Sequence, residues 1–565
     1  MILKKSNKFE LKLDSFFYPH NIVEETIKEF SGVCKIDKAQ KGKNLSLCLH
    51  TSDENVVLEF LNYLFTLAHI RKIYSGKQQN MKKPQKNIVA KDSKPAKKLG
   101  FSYLPFLYKK IKNKYLITTK VGSWIILNQN ELGELFNMNI KKDTPLFKKL
   151  LANDIIVNRE NIGRIIKNYR NLNLNLFQGP SLHIISLTSS CNQKCVYCHA
   201  SANDKKIMLD KKTAIKFLES IFQTNSNAIT IEFQGGETLL NWDMLKLIIE
   251  QANHLNRIEK KNLRMTLVSN LSLINEQQMD YLLEKNISLC TSLDGPKHVH
   301  DANRKFLDNI GTYDTLIKKI KLIRAKLKKA GKSQELLQAL PTITKNSLKY
   351  HKEIIDEYIN QGFTTIHLRF LNYLGYAKKN WPQIGYSAEE FNTFWRQSLD
   401  YILKLNKKGV NIKERGLMIM LMKLFRKIDP MYTELMSPCG AGRTQLLYAE
   451  NGDVFTCDEA RTLNEDLFRL GNILKDNFAQ IMRNNIIKIV CESSLMELYN
   501  PTSVFSHWQG TCPVVNYSES NSIIPKIYGS MRQKILDDQF SYIFEKMIED
   551  EKNIKKFKNL TALDI

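Results

Sequence analysis

The chain has 565 residues, of which 43% are hydrophobic and 25% are charged. It has the composition of an ordinary globular protein, with room for about three or four domains. We find no apolar run long enough to cross a bilayer and no signal-peptide-like N-terminus, so we expect a cytoplasmic protein with no membrane partner. The formal net charge of +27 is compatible with nucleic-acid binding. Because the positive charge is spread along the whole chain, nucleic acid is not the expected partner, and the charge could equally attract an acidic peptide.

Residues 1–76 are predicted to form a small α+β domain. FELKLDSFFY alternates like a strand, PHNIVEETIKEFSG has helical spacing, and CKIDKAQ with NLSLCLH resembles a hairpin. ENVVLEFLNYLFTLAHIRKIYS has the pattern of a long amphipathic helix. Residues 77–100 are rich in lysine and have too few apolar residues for a core, so we expect a basic, flexible linker there.

Residues 101–178 are predicted to form a second small module of strands followed by short helices, the first capped by Asn128 or Asn130. This order suits a winged-helix-like module that could recognise a peptide by adding it to a sheet edge.

From about residue 179 to 376, strand and helix patterns alternate regularly. Such alternation predicts an α/β fold with a parallel sheet, here a partial (β/α)6 TIM-like barrel, with functional residues at the carboxyl ends of the strands. Residues 377–430 are predicted to be a helical connector, and residues 431–565 a C-terminal domain. DKKTAIKFLESIF, with Asp210 as its N-cap, is one of the predicted barrel helices.

Ten cysteines in such a chain favour metal or redox chemistry over a disulfide scaffold. Cys191, Cys195 and Cys198 form a C-x3-C-x2-C pattern directly after a predicted strand. Three thiolates on a four-iron cluster leave one iron free for a chelating ligand. The alternative is a structural zinc site completed by His199. The other cysteines outside the C-terminal third are interpreted as packing residues: Cys34, Cys48 and Cys290.

The segment TSSCNQKCVYCHA resembles the signature of the radical S-adenosylmethionine (SAM) superfamily, and the resemblance extends over roughly 180–375. It implies a [4Fe–4S] cluster and SAM as cofactors. An electron from the cluster would cleave SAM to methionine and a 5′-deoxyadenosyl radical, which abstracts hydrogen from the substrate.

The same resemblance implies a set of SAM-binding residues after successive strands. FQGGE would hold the amino group of SAM, and VSN and SLDG fall where the family contacts its ribose and carboxylate. An aromatic residue within the cysteine loop could pack on the adenine. The alternative for the polar residues is ordinary turn chemistry. The predicted set is Tyr197, Gly235, Gly236, Glu237, Ser269, Asn270, Ser292 and Asp294.

In the C-terminal third, SPCGAGRTQLLYAENGDVFTCDEAR and GTCPVVNY resemble the opening and closing segments of a SPASM domain, the auxiliary-cluster module of peptide-modifying radical enzymes. The resemblance implies Cys439, Cys457 and Cys512 as metal ligands, with Cys491 as a further candidate. The family's intervening cysteines are absent, since NPTSVFSHWQGTC stands in their place. The domain is therefore degenerate, and either one auxiliary iron–sulfur cluster or none is compatible with it. Asp458 matches the proton-accepting aspartate of sulfatase-maturating relatives and is the predicted catalytic residue.

The landmarks LPF, GSWIILN, GPSLHIISLT, CDEAR, FRLGNI and CPVVNY resemble in their order the radical maturase of the His-Xaa-Ser peptide-modification system. The N-terminal segment resembles the small companion protein of that system. This resemblance implies an oxidoreductase-type peptide maturase. Its partners would be a precursor peptide, an electron donor such as flavodoxin or ferredoxin, and a second maturase of the same system. Two alternatives stay open: a radical SAM enzyme acting on RNA or a small molecule, and a non-catalytic iron–sulfur or zinc protein.

Overall fold

This computed structural model of the chain describes residues 2–5, 8–14, 23–24, 26–28, 31, 34–41, 44–51, 101–136, 140–202, 207–463, 466–526 and 530–561. The chain divides into two units, residues 1–97 and 98–565, which are described separately. The helix predicted to start near residue 54 and the linker predicted over 77–100 lie outside the described residues.

The first unit contains a four-stranded antiparallel sheet with the order β1-β2-β4-β3. Its strands are β1 (Ile2–Lys5), β2 (Lys8–Asp14), β3 (Lys35–Lys41) and β4 (Asn44–His50). Phe9 lies opposite Leu49, and Leu11 lies opposite Leu47. All four side chains are buried, so alternate positions of β2 and β4 form one apolar face. The predicted strand and hairpin are confirmed.

The second unit begins with strands and short helices. β5 (Ser102–Tyr103) pairs with β9 (Ile156–Val157), and β6 (Phe106–Ile111), β7 (Lys114–Thr119) and β8 (Trp124–Leu127) form an antiparallel sheet. Asn128 Oδ1 accepts hydrogen bonds from the backbone N–H groups of Asn130 and Glu131, which confirms Asn128 as a helix cap. Trp124 packs edge-on against Phe544, in the C-terminal part of the chain.

The centre of the second unit is an eight-stranded sheet with the order β14-β13-β12-β11-β10-β17-β18-β19. The strands from β14 to β17 run parallel, whereas β17, β18 and β19 pair antiparallel. The predicted α/β core with its parallel strands is confirmed. The sheet also continues, through β17, into residues that the sequence assigned to the C-terminal domain. The strands are β10 (Leu182–Ser186), β11 (Ala228–Gln234), β12 (Asn262–Val268), β13 (Ser288–Ser292), β14 (Leu337–Leu340), β17 (Gln445–Tyr448), β18 (Asp453–Phe455) and β19 (Arg469–Asn472), with β15 (Thr365–Ile366) and β16 (Lys413–Glu414) as a separate parallel pair.

The two faces of the barrel strands have different environments. On β11, Ile231 and Phe233 are buried in the main apolar core beneath the helices. Thr230 and Glu232, which point the opposite way, line a large internal cavity. Cys290 on β13 also lines this cavity, so its interpretation as a packing residue was wrong. One face of these strands therefore lines the chamber, and the opposite face packs into the hydrophobic core.

Helices cover the convex side of the sheet and the C-terminal part of the unit. The predicted N-cap Asp210 is confirmed, since its side chain accepts a hydrogen bond from the backbone N–H of Thr213. The helices are α1 (Gln129–Phe136), α2 (Pro145–Ala152), α3 (Ile162–Leu172), α4 (Lys211–Ile221), α5 (Trp242–Glu259), α6 (Glu276–Glu284), α7 (Lys297–Asn303), α8 (Tyr313–Lys329), α9 (His351–Asn360), α10 (Gly375–Lys379), α11 (Trp381–Ile384), α12 (Ala388–Lys407), α13 (Arg415–Phe425), α14 (Phe478–Met482), α15 (Asn485–Glu492), α16 (Met496–Tyr499), α17 (Pro513–Ser520), α18 (Met531–Glu549) and α19 (Lys552–Leu560). Short 3-10 helices occupy Thr238–Asn241, Gln334–Leu336, Lys345–Lys349, Thr433–Leu435, Ala460–Leu463 and Asp466–Phe468.

Two contacts connect the C-terminal part of the chain to earlier elements of the second unit. α12 and α18 pack together, and the Arg396 guanidinium pairs with Asp538 at 2.7 Å and with Glu545 at 2.8 Å. β10 and β17 are joined by His183, whose Nδ1 lies 3.1 Å from the hydroxyl of Tyr448. Within the described residues, no helix is both long and apolar enough to cross a membrane.

Candidate active site

The cysteine loop follows β10 and is held against the end of β11. The backbone N–H of Gly236 donates to the carbonyl of Thr188 at 2.7 Å, and that of Glu237 donates to the carbonyl of Ser190 at 2.8 Å. Because β10 and β11 are parallel neighbours, their carboxyl ends lie at one edge of the sheet. The predicted position of the cysteines at a strand's carboxyl end is confirmed.

Cys191, Cys195 and Cys198 all line the same cavity. Burial raises the pKa of Cys191 to about 12 and that of Cys195 to about 11. The negative charge of Cys198 contributes to both shifts, so the three thiols lie within electrostatic reach of one another. A cationic centre bound here would favour the thiolate forms.

The two glycines of the GGE segment are required by the cysteine loop itself. A Cβ at Gly236 would lie 2.1 Å from the carbonyl oxygen of Ser190, and a Cβ at Gly235 would lie 2.6 Å from that of Thr188. Both neighbours are backbone atoms, which cannot rotate away. Gly235 and Gly236 also line the cavity, so they form part of its wall while admitting the loop behind it.

Glu237 lies behind this wall and does not line the cavity. Its carboxylate accepts hydrogen bonds from the Ser269 hydroxyl at 2.6 Å and from the backbone N–H groups of Asn270 at 2.8 Å and Leu239 at 3.0 Å. The side chain is 1% exposed. Glu237 therefore connects the GGE segment to the VSN segment, and a direct contact with SAM stays a prediction.

Asp294, which follows β13, is also a buried carboxylate that supports a neighbouring segment. Its carboxylate accepts hydrogen bonds from the hydroxyl of Tyr197 at 2.7 Å and from the side-chain amide of Asn303 at 3.1 Å. It is fully buried. Tyr197 lines the cavity, so Asp294 fixes the orientation of the predicted adenine-packing ring. A direct contact of Asp294 with SAM stays a prediction.

Arg304 is a site residue that the sequence analysis missed. Its Nη1 donates to the Sγ of Cys195 at 3.6 Å, and its Nε lies 3.5 Å from the carboxylate of Asp294. The guanidinium also lies over the ring of Tyr197, at 5.2 Å from the ring centroid. The sequence does not indicate a role for Arg304, because this residue lies in the loop after α7 and not at the end of a strand.

The remaining predicted polar residues are at the cavity surface. Ser269, Asn270 and Ser292 all line it. The side-chain amide of Asn270 donates to Asn192 Oδ1 at 2.9 Å, which connects the VSN segment to the cysteine loop. The structure thus brings the predicted SAM-binding residues around one chamber, with Glu237 and Asp294 as the supports beneath it.

Gly375, at the start of α10, is a second residue that was missed. Its φ is +53°, and a Cβ there would lie 2.6 Å from the carbonyl oxygen of Cys198. The backbone N–H of Tyr376 donates to that carbonyl at 2.9 Å. The backbone of Cys198 is therefore held by a segment almost two hundred residues away in sequence. A single glycine in the tripeptide LGY does not indicate such a contact, so the sequence could not reveal the role of Gly375.

An acidic pair contributes another part of the chamber. Asp458 and Glu459 both line the cavity, and Asp458 Oδ2 lies 4.0 Å from Nε2 of His199 in the cysteine loop. Burial disfavours the charged form of Asp458, but its interactions with His199, Arg461 and Arg369 hold its pKa below the usual value. Burial lowers the pKa of His199 itself to about 4, so near neutral pH the two arginines carry the positive charge beside Asp458. Burial and the charge of Asp458 raise the pKa of Glu459. Asp458 is therefore the member of the pair that is available as a proton acceptor.

The C-terminal cysteines form a second group, away from the cavity surface. Cys439 and Cys457 are buried in an apolar cluster, and Cys512 packs against it. Two of the three thiols are affected by the charge of another: Cys512 and Cys439 raise the pKa of Cys457, and Cys439 raises that of Cys512. These predicted ligands do come together, and Cys491 interacts only with Cys439 among them.

The chamber has a volume of about 1430 Å³. A pocket for a single small molecule has about 300–1,000 Å³, so this one has room for a nucleotide-like ligand and part of a second molecule.

The cysteine loop could hold either of two centres, an iron–sulfur cluster or a zinc ion. A tetrahedral zinc site brings its sulfur ligands to roughly 3.8 Å from one another, given Zn–S bonds of about 2.3 Å. Among the described residues, the only three potential ligand side chains whose atoms lie within 4.8 Å of one another are Cys457, Asp458 and Glu459. The cysteine loop with His199 is not such a group. Three thiols that are more widely spaced, beside a large chamber, fit an iron–sulfur cluster better than a single zinc ion.

An open three-cysteine loop at the carboxyl edge of parallel strands, beside a large chamber, is the arrangement that the resemblance to radical SAM enzymes predicts. The family model for the radical SAM superfamily matches residues 185–337. This match falls within the predicted core of the chain, and the cofactors of the matching superfamily are the expected [4Fe–4S] cluster and SAM.

Its relatives include sulfatase-maturating enzymes. The cysteine-type anaerobic sulfatase-maturating enzyme of Clostridium perfringens is 25% identical over 397 residues, which cover 66% of this chain and 99% of that enzyme. An uncharacterized protein of Methanocaldococcus jannaschii is 28% identical over 297 residues, covering 52% of this chain and 89% of that protein.

Among solved structures, native anSMEcpe with bound AdoMet and Cp18Cys peptide superposes with a TM-score of 0.54 at 20% identity. The match covers 66% of this chain and all of that one. This similarity confirms the α/β fold.

Proposed function

We propose that this chain is a radical SAM maturase that modifies a ribosomally made peptide, similar to the maturase of the His-Xaa-Ser system. The observation that carries the proposal is the shared chamber, in which the three thiols of the cysteine loop and the carboxylate of Asp458 face one space larger than a single ligand needs. When bound, the cluster and SAM would supply a radical that removes a hydrogen atom from the substrate.

The residues of the chain would position that chemistry and manage its proton. Cys191, Cys195 and Cys198 would hold the cluster. The proposed SAM-binding set is Tyr197, Gly235, Gly236, Ser269, Asn270 and Ser292 at the chamber surface, with Glu237 and Asp294 behind it. Asp458, beside His199 and exposed to the chamber, would accept the proton that the substrate loses as it is oxidised. A flavodoxin or ferredoxin would deliver the electron.

A peptide substrate is supported by two relatives. One is named as a sulfatase-maturating enzyme, and the solved structure that confirms the fold contains a bound peptide. The mixed charges of the chamber wall, with Arg369 and Arg461 beside Asp458 and Glu459, suit a polar peptide segment.

The module over 101–178 would hold the precursor's leader. Tyr108 and Phe136 are 52% and 48% exposed and pack edge-on, with ring centroids 5.0 Å apart. Exposed aromatic pairs are common anchors in peptide recognition. Replacing both by alanine should weaken precursor binding about tenfold or more, by the usual cost of an interface anchor, without changing SAM cleavage. Unchanged binding would remove this role.

The function is tested by anaerobic reconstitution of the full chain with iron and sulfide, followed by SAM and a reductant. We expect 5′-deoxyadenosine, and a mass change in short peptides encoded beside the gene. A cluster-loaded protein that makes no 5′-deoxyadenosine would instead support a non-catalytic metal protein.

The net charge of +27 favours one other candidate, an enzyme acting on RNA. RNA binding that weakens steeply with salt, together with unmodified peptides, would replace the peptide proposal.

A further inference from the structure

Arg304 lies opposite one thiol of the cysteine loop, and the backbone fixes this position. The backbone N–H groups at the two ends of 194–196 donate to the carbonyls at the two ends of 303–305, at 2.8 and 3.0 Å. The two segments run antiparallel, so Arg304 is placed across from Cys195. Because these hydrogen bonds join backbone groups, a different side chain at Arg304 should leave the pairing of the two segments intact.

The guanidinium of Arg304 is directed at the sulfur of Cys195. Its Nη1 donates a hydrogen bond to this Sγ at 3.6 Å. The guanidinium carbon lies 5.2 Å from the centroid of the Tyr197 ring, a distance at which a cation and a ring attract each other. The Arg304 side chain is only 12% exposed, so water and salt screen its charge weakly.

Asp294 pairs with Arg304 but does not take its place at the sulfur. Nε of Arg304 lies 3.5 Å from the Asp294 carboxylate without the geometry of a hydrogen bond. The carboxylate instead accepts hydrogen bonds from the hydroxyl of Tyr197 at 2.7 Å and from the backbone N–H of Thr342 at 3.0 Å. The ion pair therefore presents its positive end, through Nη1, to the sulfur of Cys195.

The other two thiols of the loop have no comparable donor. The Sγ of Cys191 accepts a hydrogen bond from the neutral backbone N–H of Gln193 at 3.4 Å. Among the described residues, Arg304 is the only charged side chain with a hydrogen bond to a thiol of this loop. The three thiols are therefore electrostatically unequal, and Cys195 is the one in contact with a fixed positive charge.

We propose that Arg304 raises the reduction potential of the iron–sulfur cluster of the cysteine loop, acting through the sulfur of Cys195. Reduction adds one electron, and so one negative charge, to a cluster without making or breaking a bond. A positive group that donates to a ligand sulfur stabilises the more negative form, since net charge and hydrogen bonds to sulfur set the potential. Arginine suits this role because its side chain stays protonated. The proposal rests on the proposed function only in that the loop must bind a cluster.

The test is a redox titration of the reconstituted full chain carrying Cys457→Ala, so that the second group of cysteines lacks one thiol. Electron paramagnetic resonance follows the reduced first cluster as photoreduced deazaflavin lowers the solution potential, without SAM or peptide. Arg304→Met removes the charge and the donor. It should lower the equilibrium constant for reduction about tenfold or more, which is a fall of about 59 mV for a one-electron couple. Arg304→Lys keeps a positive charge and should have a potential between those of the parent and Arg304→Met.

Lys305→Gln is the matched control. It removes the same charge one position further along the chain, but Lys305 is exposed, so water and salt screen its charge and the potential should not change. A cluster-loaded Arg304→Met protein with the potential of the parent, or an equal fall in Lys305→Gln, would overturn the proposal.

Iron and sulfide analysis establishes first that each variant holds the cluster. If Arg304→Met loses its iron, Arg304→Gln is measured instead and must show the same fall in potential, because its amide is uncharged. Loss of iron from both neutral variants would make Arg304 a structural part of the loop and would also overturn the proposal. A parent protein that binds no iron would remove the proposed function itself, whereas a loaded protein with an unchanged potential would remove only the role of Arg304.

Discussion

The two groups of cysteines differ in their access to the chamber. Cys191, Cys195 and Cys198 line the chamber and are supported from behind by the backbone of other strands. Cys439, Cys457 and Cys512 do not line it and are packed in an apolar cluster. A thiol set beside open space can share its metal centre with a ligand, whereas a sealed set can only hold the centre or pass electrons. The same residue type therefore supports two roles that burial separates.

The largest expected effect comes from removing a thiol of the open set. Cys198→Ala should abolish 5′-deoxyadenosine formation, because the first cluster loses one of its three ligands. Cys457→Ala should leave SAM cleavage measurable, because the second set does not face the chamber. Chromatographic measurement of 5′-deoxyadenosine separates the two variants, and Cys48→Ala in the first unit is the control. Equal loss in both variants would break the comparison.

Asp458→Asn should lower the rate of peptide modification by about 10²–10⁴-fold, the usual contribution of a positioned base. Because the amide does not touch the cysteine loop ligands, SAM cleavage should continue, and the ratio of 5′-deoxyadenosine to modified peptide should rise. The surface variant Asp466→Asn is the control. If both products fell in parallel, Asp458 would act through the cluster and not on the substrate.

Gly236→Ala tests how firmly the open set depends on its backbone support. The added methyl group would meet the carbonyl of Ser190, and overpacking of this kind costs about 1–3 kcal/mol. We expect a lower midpoint of thermal unfolding and less iron in the first site. Gly133→Ala is the matched control, since nothing lies within 4 Å of its added Cβ. That helical substitution should stabilise the protein by about 0.5–1 kcal/mol, and a similar loss in both variants would show that the loop contact is unimportant.

The smallest expected effect is a pH dependence of stability caused by His183, which connects β10 to β17. His183 is fully buried between β10 and β17, and burial lowers its pKa from 6.5 to about 3. As the pH falls below 6.5, this histidine takes up a proton in the unfolded chain but stays neutral in the folded protein. The free energy of unfolding should therefore decrease below pH 6.5. The contribution is up to about 1.4 kcal/mol per pH unit.

Denaturant unfolding between pH 7.5 and 5 measures this contribution, with pH values chosen around the ordinary histidine pKa of about 6.5. His183→Asn should flatten the dependence on pH, whereas His254→Asn, at an exposed position, should not. Parallel curves for His183→Asn and the unmodified protein would show that His183 does not carry this linkage.

Much of the open site could be predicted from the sequence. The spacing of Cys191, Cys195 and Cys198 and the position of Gly235 and Gly236 after the next strand are local patterns. Alternation of strands and helices then dictates that neighbouring strands run parallel and end at one edge. For that reason the sequence brought these residues together correctly, although it could not show that the glycines serve the cysteine loop.

The sequence did not predict the roles of Arg304 and Gly375. Arg304 meets Cys195 across 109 positions of the chain, and no periodicity records such a contact. The family resemblance places Glu237 and Asp294 at SAM, which stays a prediction, but it does not show that both carboxylates are buried and bonded to neighbouring segments. Both carboxylates are buried because residues of neighbouring segments donate hydrogen bonds to them, Ser269 and Asn270 to Glu237 and Tyr197 to Asp294.

The amino-acid sequence by itself determined the class of chemistry, since three thiols at a strand end need only local spacing and a regular β–α order. The tertiary structure decided which groups face the chamber and which are sealed from it. That distinction depends on contacts between distant parts of the chain. One example is the pairing of β10 with β17, which brings residues some 260 positions apart, such as His183 and Tyr448, into contact. Burial, and with it the charge state and the accessible partners of each side chain, follows from those long-range contacts.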